Sequence, residues 1–208
     1  MIHLYAFADA GVRLPAVGGV GGSPLGLHVE GDVAAVVSSA EGAVDRDAAL
    51  AHGRVVEALR ETAEAVLPVR FGERFATDGE LAAAVAARAD ELRRRLDHVR
   101  GCVEFGVRMQ PPEAEEPSRA SGGAYLRARL ASVHRAAAIV EQLHEPLVRC
   151  AREAVLTPGI GDHAAAYLVR HEQRDAFERT LGAFIAAHPE VTVLCTGPWA
   201  PYTFAEAA

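Results

Sequence analysis

The sequence predicts an α+β fold whose second half is ferredoxin-like, an antiparallel sheet with helices packed on one face. Two observations carry this. Short alternating runs are separated by longer stretches with helical periodicity. From about residue 101 onward the order reads strand, long helix, strand, helix, strand.

Ile2, Leu4 and Ala6 alternate with His3, Tyr5 and Phe7, so residues 2–8 read as a strand with both faces at least half buried. A Gly-rich connection follows, and its run Gly18-Gly19-Val20-Gly21-Gly22 resembles a phosphate cradle only superficially, because the third glycine of G-x-G-x-x-G falls on Pro24. Leu25, Leu27 and Val29 face Val33, Ala35 and Val37 across Gly31-Asp32, a hairpin signal. From Asp47 to about Leu67, Val55, Val56, Leu59, Ala63 and Val66 mark one helical face that Pro68 stops. Leu67 to Gly72 reads as a strand or an extended crossing.

Thr77-x-x-Glu80 is a capping box for a second helix with the stripe Leu81, Val85, Ala89, Leu92, Leu96 and Val99, and Gly101 stands at its C-terminal cap. Arg93-Arg94-Arg95 lies beside Glu91 and Asp97 and reads as a solvated face. Val103, Phe105, Val107 and Met109 define a strand with one wet face, closed by the acidic, Pro-rich run 110–117. Past Ser121, Leu126, Leu130, Val133, Ala137, Val140, His144, Leu147 and Ala151 keep strict four-three spacing, which Pro146 is expected to kink or divide. A strand over 164–170, a helix over 172–187 and a strand over 191–196 complete the chain.

Composition narrows the function. Half of the 208 residues are hydrophobic and 24% are charged, enough for an ordinary core. A net charge of -7 gives no attraction to phosphate backbones, so nucleic acid is not an expected partner. No apolar run is long enough for a membrane helix, and the N-terminus lacks the basic region and cleavage site of a signal peptide, so a cytoplasmic protein is expected. Cys102, Cys150 and Cys195 are too dispersed for a disulfide framework. The sequence has no lysine, which excludes a Walker loop, a Schiff-base lysine and the kinase β3 lysine. The nine histidines show no metal-ligand spacing; His144, on an apolar stripe, reads as a hydrogen-bonded core residue, and His52 is the histidine to test.

Several junctions carry a family resemblance. Ala51-His52-Gly53-Arg54-Val55-Val56 leading to Val66-Leu67-Pro68-Val69-Arg70-Phe71-Gly72 resembles the core of the gas vesicle GvpL/GvpF family. Gly101 to Val107, Gly123-Ala124-Tyr125-Leu126 with Arg129, Ala165 to Val169, and Thr196 to Phe204 are similar to four further family segments, in order. Gly53 stands where the family usually has Glu, Glu73 and Arg74 follow Arg70-Phe71-Gly72 in place of small and apolar residues, and Ala200 replaces a proline.

The resemblance implies two domains, 1–100 and 101–208, the second ferredoxin-like. It implies an accessory or minor structural role in cytoplasmic gas vesicles and contact with the shell protein GvpA and other accessory proteins, without catalysis, cofactor or metal. Arg70, Phe71 and Gly72 are candidates for partner contact, Arg70 reading a carboxylate or carbonyls; the competing reading pairs Arg70 with Glu57 or Glu104. Trp199 and Tyr202, held among prolines, are either a binding surface or a clasp over a sheet edge. The alternative function is a ferredoxin-like enzyme or small-ligand-binding domain using a histidine and Arg70.

Overall fold

The computed structural model describes residues 1–39, 45–110, 122–158 and 163–206. The chain divides into two compact units, Met1–Glu104 with Pro198–Ala208, and Phe105–Gly197. The architecture is α+β, with two antiparallel sheets.

In the first unit, β1 (Ile2–Asp9) is the centre of a sheet ordered β2-β3-β1-β4, where β2 is Leu25–Glu30, β3 Val33–Ser39 and β4 Val66–Pro68; β5 (Arg74–Phe75) also pairs with β1. The β2–β3 hairpin turns at Gly31-Asp32, and Gly31 takes φ 56°, the left-handed region a tight hairpin requires.

Simple alternation fails in β1. Its register against β3 shifts between Leu4 and Ala6, a bulge at Tyr5. Tyr5 and Ala6 consequently join one apolar cluster with Val55, Val56 and Leu59, while Leu4 and Phe7 line a cleft with Val85 and Leu92. The expected partition of Ile2, Leu4 and Ala6 against His3, Tyr5 and Phe7 is thus corrected.

Helix α1 (Arg46–Thr62) begins where the Asp45 carboxylate accepts from Ala48 N at 2.8 Å. It ends at Thr62, earlier than its apolar spacing implies, because Val66–Pro68 pairs with Ala6–Ala8 as β4. Pro68 has no N–H to donate, which an edge strand tolerates. Helix α2 (Asp78–Val99) is capped by the Thr77 hydroxyl, which accepts from Glu80 N at 3.2 Å; the Glu80 carboxylate reaches back to Ala76 N at 2.9 Å, one residue beyond the usual capping-box partner. Gly101 takes φ 65° beyond it, and its N–H donates to Glu64 O at 2.7 Å.

The second sheet is ordered β7-β8-β6-β9: β6 is Cys102–Gln110, β7 Glu153–Pro158, β8 His163–Arg170 and β9 Thr192–Trp199. Helix α3 (Gly122–Cys150) joins β6 to β7, and α4 (Arg174–Ala187) joins β8 to β9. Strand β7 is absent from the expected order. Pro146 does not divide α3, which continues as one helix to Cys150. The second core is aromatic: the Phe105 and Phe177 rings stack at 4.9 Å, and Tyr167 meets Phe177 edge-on at 5.3 Å. His144 Nδ1 lies 2.8 Å from the Tyr167 hydroxyl, the hydrogen-bonded role its place on the stripe implies.

Candidate binding cleft

The segment Leu67-Pro68-Val69-Arg70-Phe71-Gly72 separates its side chains by direction. Phe71 turns inward against His3 and His52, with ring centroids 5.6 and 5.7 Å away. Gly72, at φ 110°, a conformation that side chains rarely adopt, lies in the turn between β4 and β5, which both run antiparallel to β1 in the same direction. Arg70 remains exposed and lines a cleft on the opposite side of the sheet.

That cleft encloses about 390 Å³. Leu4, Phe7, Leu67, Phe75, Val85 and Leu92 contribute its apolar lining. Arg70, Glu73, Arg88 and Arg95 add charge. The arginines of α2 are held in place: Arg88 makes two 3.1 Å hydrogen bonds to the Glu91 carboxylate, and Arg95 reaches the same carboxylate at 2.6 Å. The hydrogen bond from Arg88 is the largest cause holding the Glu91 carboxyl below its ordinary range. A cleft of this size with both apolar and fixed charged walls suits an amphipathic segment of a partner or ligand. The spacing 88, 91, 95 beside the stripe Leu81, Val85, Leu92 is the sequence signal for this wall; of the run Arg93-Arg94-Arg95, expected as a solvated face, Arg93 and Arg94 are exposed while Arg95 is drawn in by Glu91 and Ala205 O.

Behind Phe71 lies a buried polar cluster. His52 Nε2–H donates to the Val69 carbonyl at 2.9 Å, so His52 Nδ1 accepts from His3 Nε2–H at 2.9 Å. His3 Nδ1 is then an acceptor, buried and without a hydrogen-bond partner. Burial foremost, then the neighbouring His52 and Arg74, lower the His3 pKa to about 4; burial also lowers that of His52, against its bond to Val69. Both rings are therefore neutral at pH 7. The Tyr5 hydroxyl accepts from Val20 N at 2.7 Å and lies 2.8 Å from Ser38 Oγ, which ties the Gly-rich loop to the sheet.

The C-terminal tail closes this unit. Glu104 accepts from Thr203 N at 2.8 Å and from Thr203 Oγ1 at 2.7 Å, and Glu57 accepts from Ala200 N at 3.3 Å and from Arg60 Nε at 2.7 Å. Arg95 donates to Ala205 O at 2.7 Å, and Ala205 lines the cleft. Tyr202 packs half-buried against the same apolar cluster as Phe71, and burial, with Glu57 nearby, raises its hydroxyl to about 12. Trp199 stays 47% exposed. Of the five candidate residues, Phe71 and Tyr202 anchor, Gly72 turns, and Arg70 and Trp199 face solvent.

The Gly-rich loop lines a separate groove with Asp45, Asp47, Ala48 and Arg54. Its two carboxylates oppose a phosphate. Among the described residues no three His, Cys, Asp or Glu side chains are grouped to hold a metal ion, and no helix is long and apolar enough to cross a membrane.

Fold and site together define an α+β protein of two antiparallel sheets with a partly apolar, arginine-bearing cleft beside the first. A family model described as gas vesicle synthesis protein GvpL/GvpF matches residues 1–206, and the chain belongs to that family. It is 32% identical to gas vesicle protein L of Streptomyces sp. (strain CB03234), with 94% of this chain and 88% of that protein covered. It is 31% identical to gas vesicle protein F2 of Halobacterium salinarum, with 98% and 92% covered. Its fold is similar to the crystal structure of GvpF from Anabaena sp. PCC7120, at TM-score 0.84 and 17% identity, covering 100% of this chain and 96% of that one. The GvpF structure from Microcystis aeruginosa aligns at TM-score 0.82 and 17% identity, covering 99% of each chain.

Proposed function

We propose that this protein is a gas vesicle accessory or minor structural protein that binds the shell protein GvpA and other accessory proteins, supports vesicle assembly in the cytoplasm, and performs no catalysis. The observation that carries this reading is the cleft that sets apolar side chains beside Arg70, Arg88 and Arg95. A shell subunit with a gas-facing hydrophobic side aggregates in water unless that side is covered or promptly incorporated. A cleft with an apolar lining and fixed guanidinium groups offers such a segment both burial and hydrogen bonds to its carbonyls or carboxylates. Arg70 and Trp199 supply exposed contact groups, while Phe71, Gly72 and Tyr202 hold the presenting turn and tail. The second unit is read as ferredoxin-like on its β-α-β-β-α-β order and the sheet order β7-β8-β6-β9.

The test is co-expression with tagged GvpA. Wild-type protein is expected to co-purify; Arg70→Glu, which reverses an exposed charge, and Ala84→Trp, which fills the cleft from its half-buried wall, are expected to lose capture while melting near the wild-type temperature. Undiminished capture by both folded variants refutes the cleft as the binding site. Failure of the wild type to capture GvpA at all refutes the partner.

A further inference from the structure

We infer that the first half of α3 is a docking strip for an acidic amphipathic helix of a partner protein, a surface independent of the cleft. The seam Leu126, Leu130, Val133, Ala137, Val140, His144, Leu147 repeats every seven residues, the pattern that packs one helix along another. Toward the end of α3 the unit's own core takes it up: Leu143 and Leu147 are buried, and His144 meets the Tyr167 hydroxyl. Among the described residues nothing covers the first half. Leu126, Leu130 and Val133 are 68%, 57% and 58% exposed, and every described residue from Gly123 to Arg135 is exposed.

Charge selects the occupant. Between Gly122 and Val140 the helix carries Arg127, Arg129, Arg135 and His134 and no Asp or Glu, in a chain of net charge -7. Arg127 and Arg129 border the seam on its two sides, and His134 follows Val133, positions whose charges choose the partner in paired helices. A second copy presents the same basic borders and is repelled. A bilayer needs a broad apolar face with many large side chains, whereas the exposed large apolar groups of this half are Tyr125, Leu126, Leu130 and Val133. A helix with an apolar four-three seam and Glu or Asp borders satisfies both features.

The experiment uses the full chain and two labelled synthetic helical peptides that share a leucine seam and differ only in having Glu or Lys at the borders. Fluorescence anisotropy at low and high salt is expected to show the Glu peptide binding at least about tenfold more tightly, with the difference shrinking in high salt. Leu130→Glu, at an exposed site that circular dichroism will show to be folded, should lose at least about tenfold in affinity. The double variant Arg127→Glu/Arg129→Glu keeps the seam and should reverse the preference toward the Lys peptide. Equal binding of both peptides, absence of binding, or an unchanged preference in the double variant overturns the inference. So do a wild-type dimer that Leu130→Glu dissociates and binding of the wild type to anionic phosphatidylserine vesicles that the same substitution removes.

Discussion

Acidification should weaken the first unit through one residue, His3. The ring is fully buried, its Nε2–H is committed to His52 Nδ1, and its Nδ1 is enclosed without a hydrogen-bond partner. The only place for a second proton is that enclosed nitrogen, and burial foremost, then the neighbouring His52 and Arg74, oppose the added charge. The folded pKa of about 4 lies below the ordinary 6.5, so the unfolded chain binds a proton that the folded chain rejects. Stability is therefore complete above pH 6.5 and falls as pH drops toward 4, by about 3 kcal/mol when the gap is converted. Against a typical stability of about 5–15 kcal/mol this is a large fraction. His52, also lowered, acts in the same direction. Glu104, raised by burial, acts in the opposite one, because its folded form holds a proton that the unfolded form has released. The assay is urea unfolding followed by the emission of Trp199, the chain's only tryptophan, at pH 7.5 and pH 4.5. The wild-type midpoint should fall by about 1 M urea. In His3→Gln the amide still offers a donor to His52 but cannot titrate, so most of the pH dependence should disappear. A His3→Gln midpoint that falls as steeply as the wild type refutes the assignment.

Two further substitutions probe the same unit. Glu104→Ala removes the acceptor of both Thr203 bonds and should cost about 1–3 kcal/mol, with faster amide exchange at Tyr202–Glu206 than in β1; unchanged exchange in the tail contradicts its role as a clasp. Gly19→Ala places a Cβ against the Tyr5 hydroxyl and 2.9 Å from Ser38 Oγ, and should lower the thermal midpoint through about 1–3 kcal/mol of overpacking, whereas Gly26→Ala, with open space around it, should not.

The parts of the fold legible in the sequence are those where local chemistry and packing agree. The β2–β3 hairpin, the Thr77 cap, Gly101 and the alternation of β6 each follow from turn, cap or period, and each stands where expected. The failures have definite causes. A bulge at Tyr5 breaks the period of two, and nothing local announces it, because the bulge serves to bring the tyrosine hydroxyl to Val20 and Ser38. Among the described strands β7 is an edge strand paired only with β8; its Leu156 is exposed, so the polar alternation that marks a half-buried strand is missing. The apolar stripe of α3 implies burial along its length, yet period reports only that a face is suited to packing, not that the chain itself supplies the partner. In the Arg70-Phe71-Gly72 turn, the motif was legible but the division of labour was not: Phe71 enters the histidine cluster, and Arg70 alone is presented.

The absence of lysine sharpens the distinction between structural and recognition charges. A guanidinium can hold two partners at once, and several here do: Arg95 spans Glu91 and Ala205 O, and Arg100 spans both oxygens of Asp9 and one of Asp97. A lysine would keep the charge at these sites and lose the geometry. Counting basic residues therefore overstates the positive surface, since Glu91, Asp9 and Asp97 offset the arginines beside them. The beginning of α3 differs in kind. Its arginines share a segment with no carboxylate at all, on the half of a helix whose apolar seam the described residues leave exposed. Positive charge that no described carboxylate offsets, beside apolar surface that the described residues leave exposed, is what an acidic helix of a partner would complement.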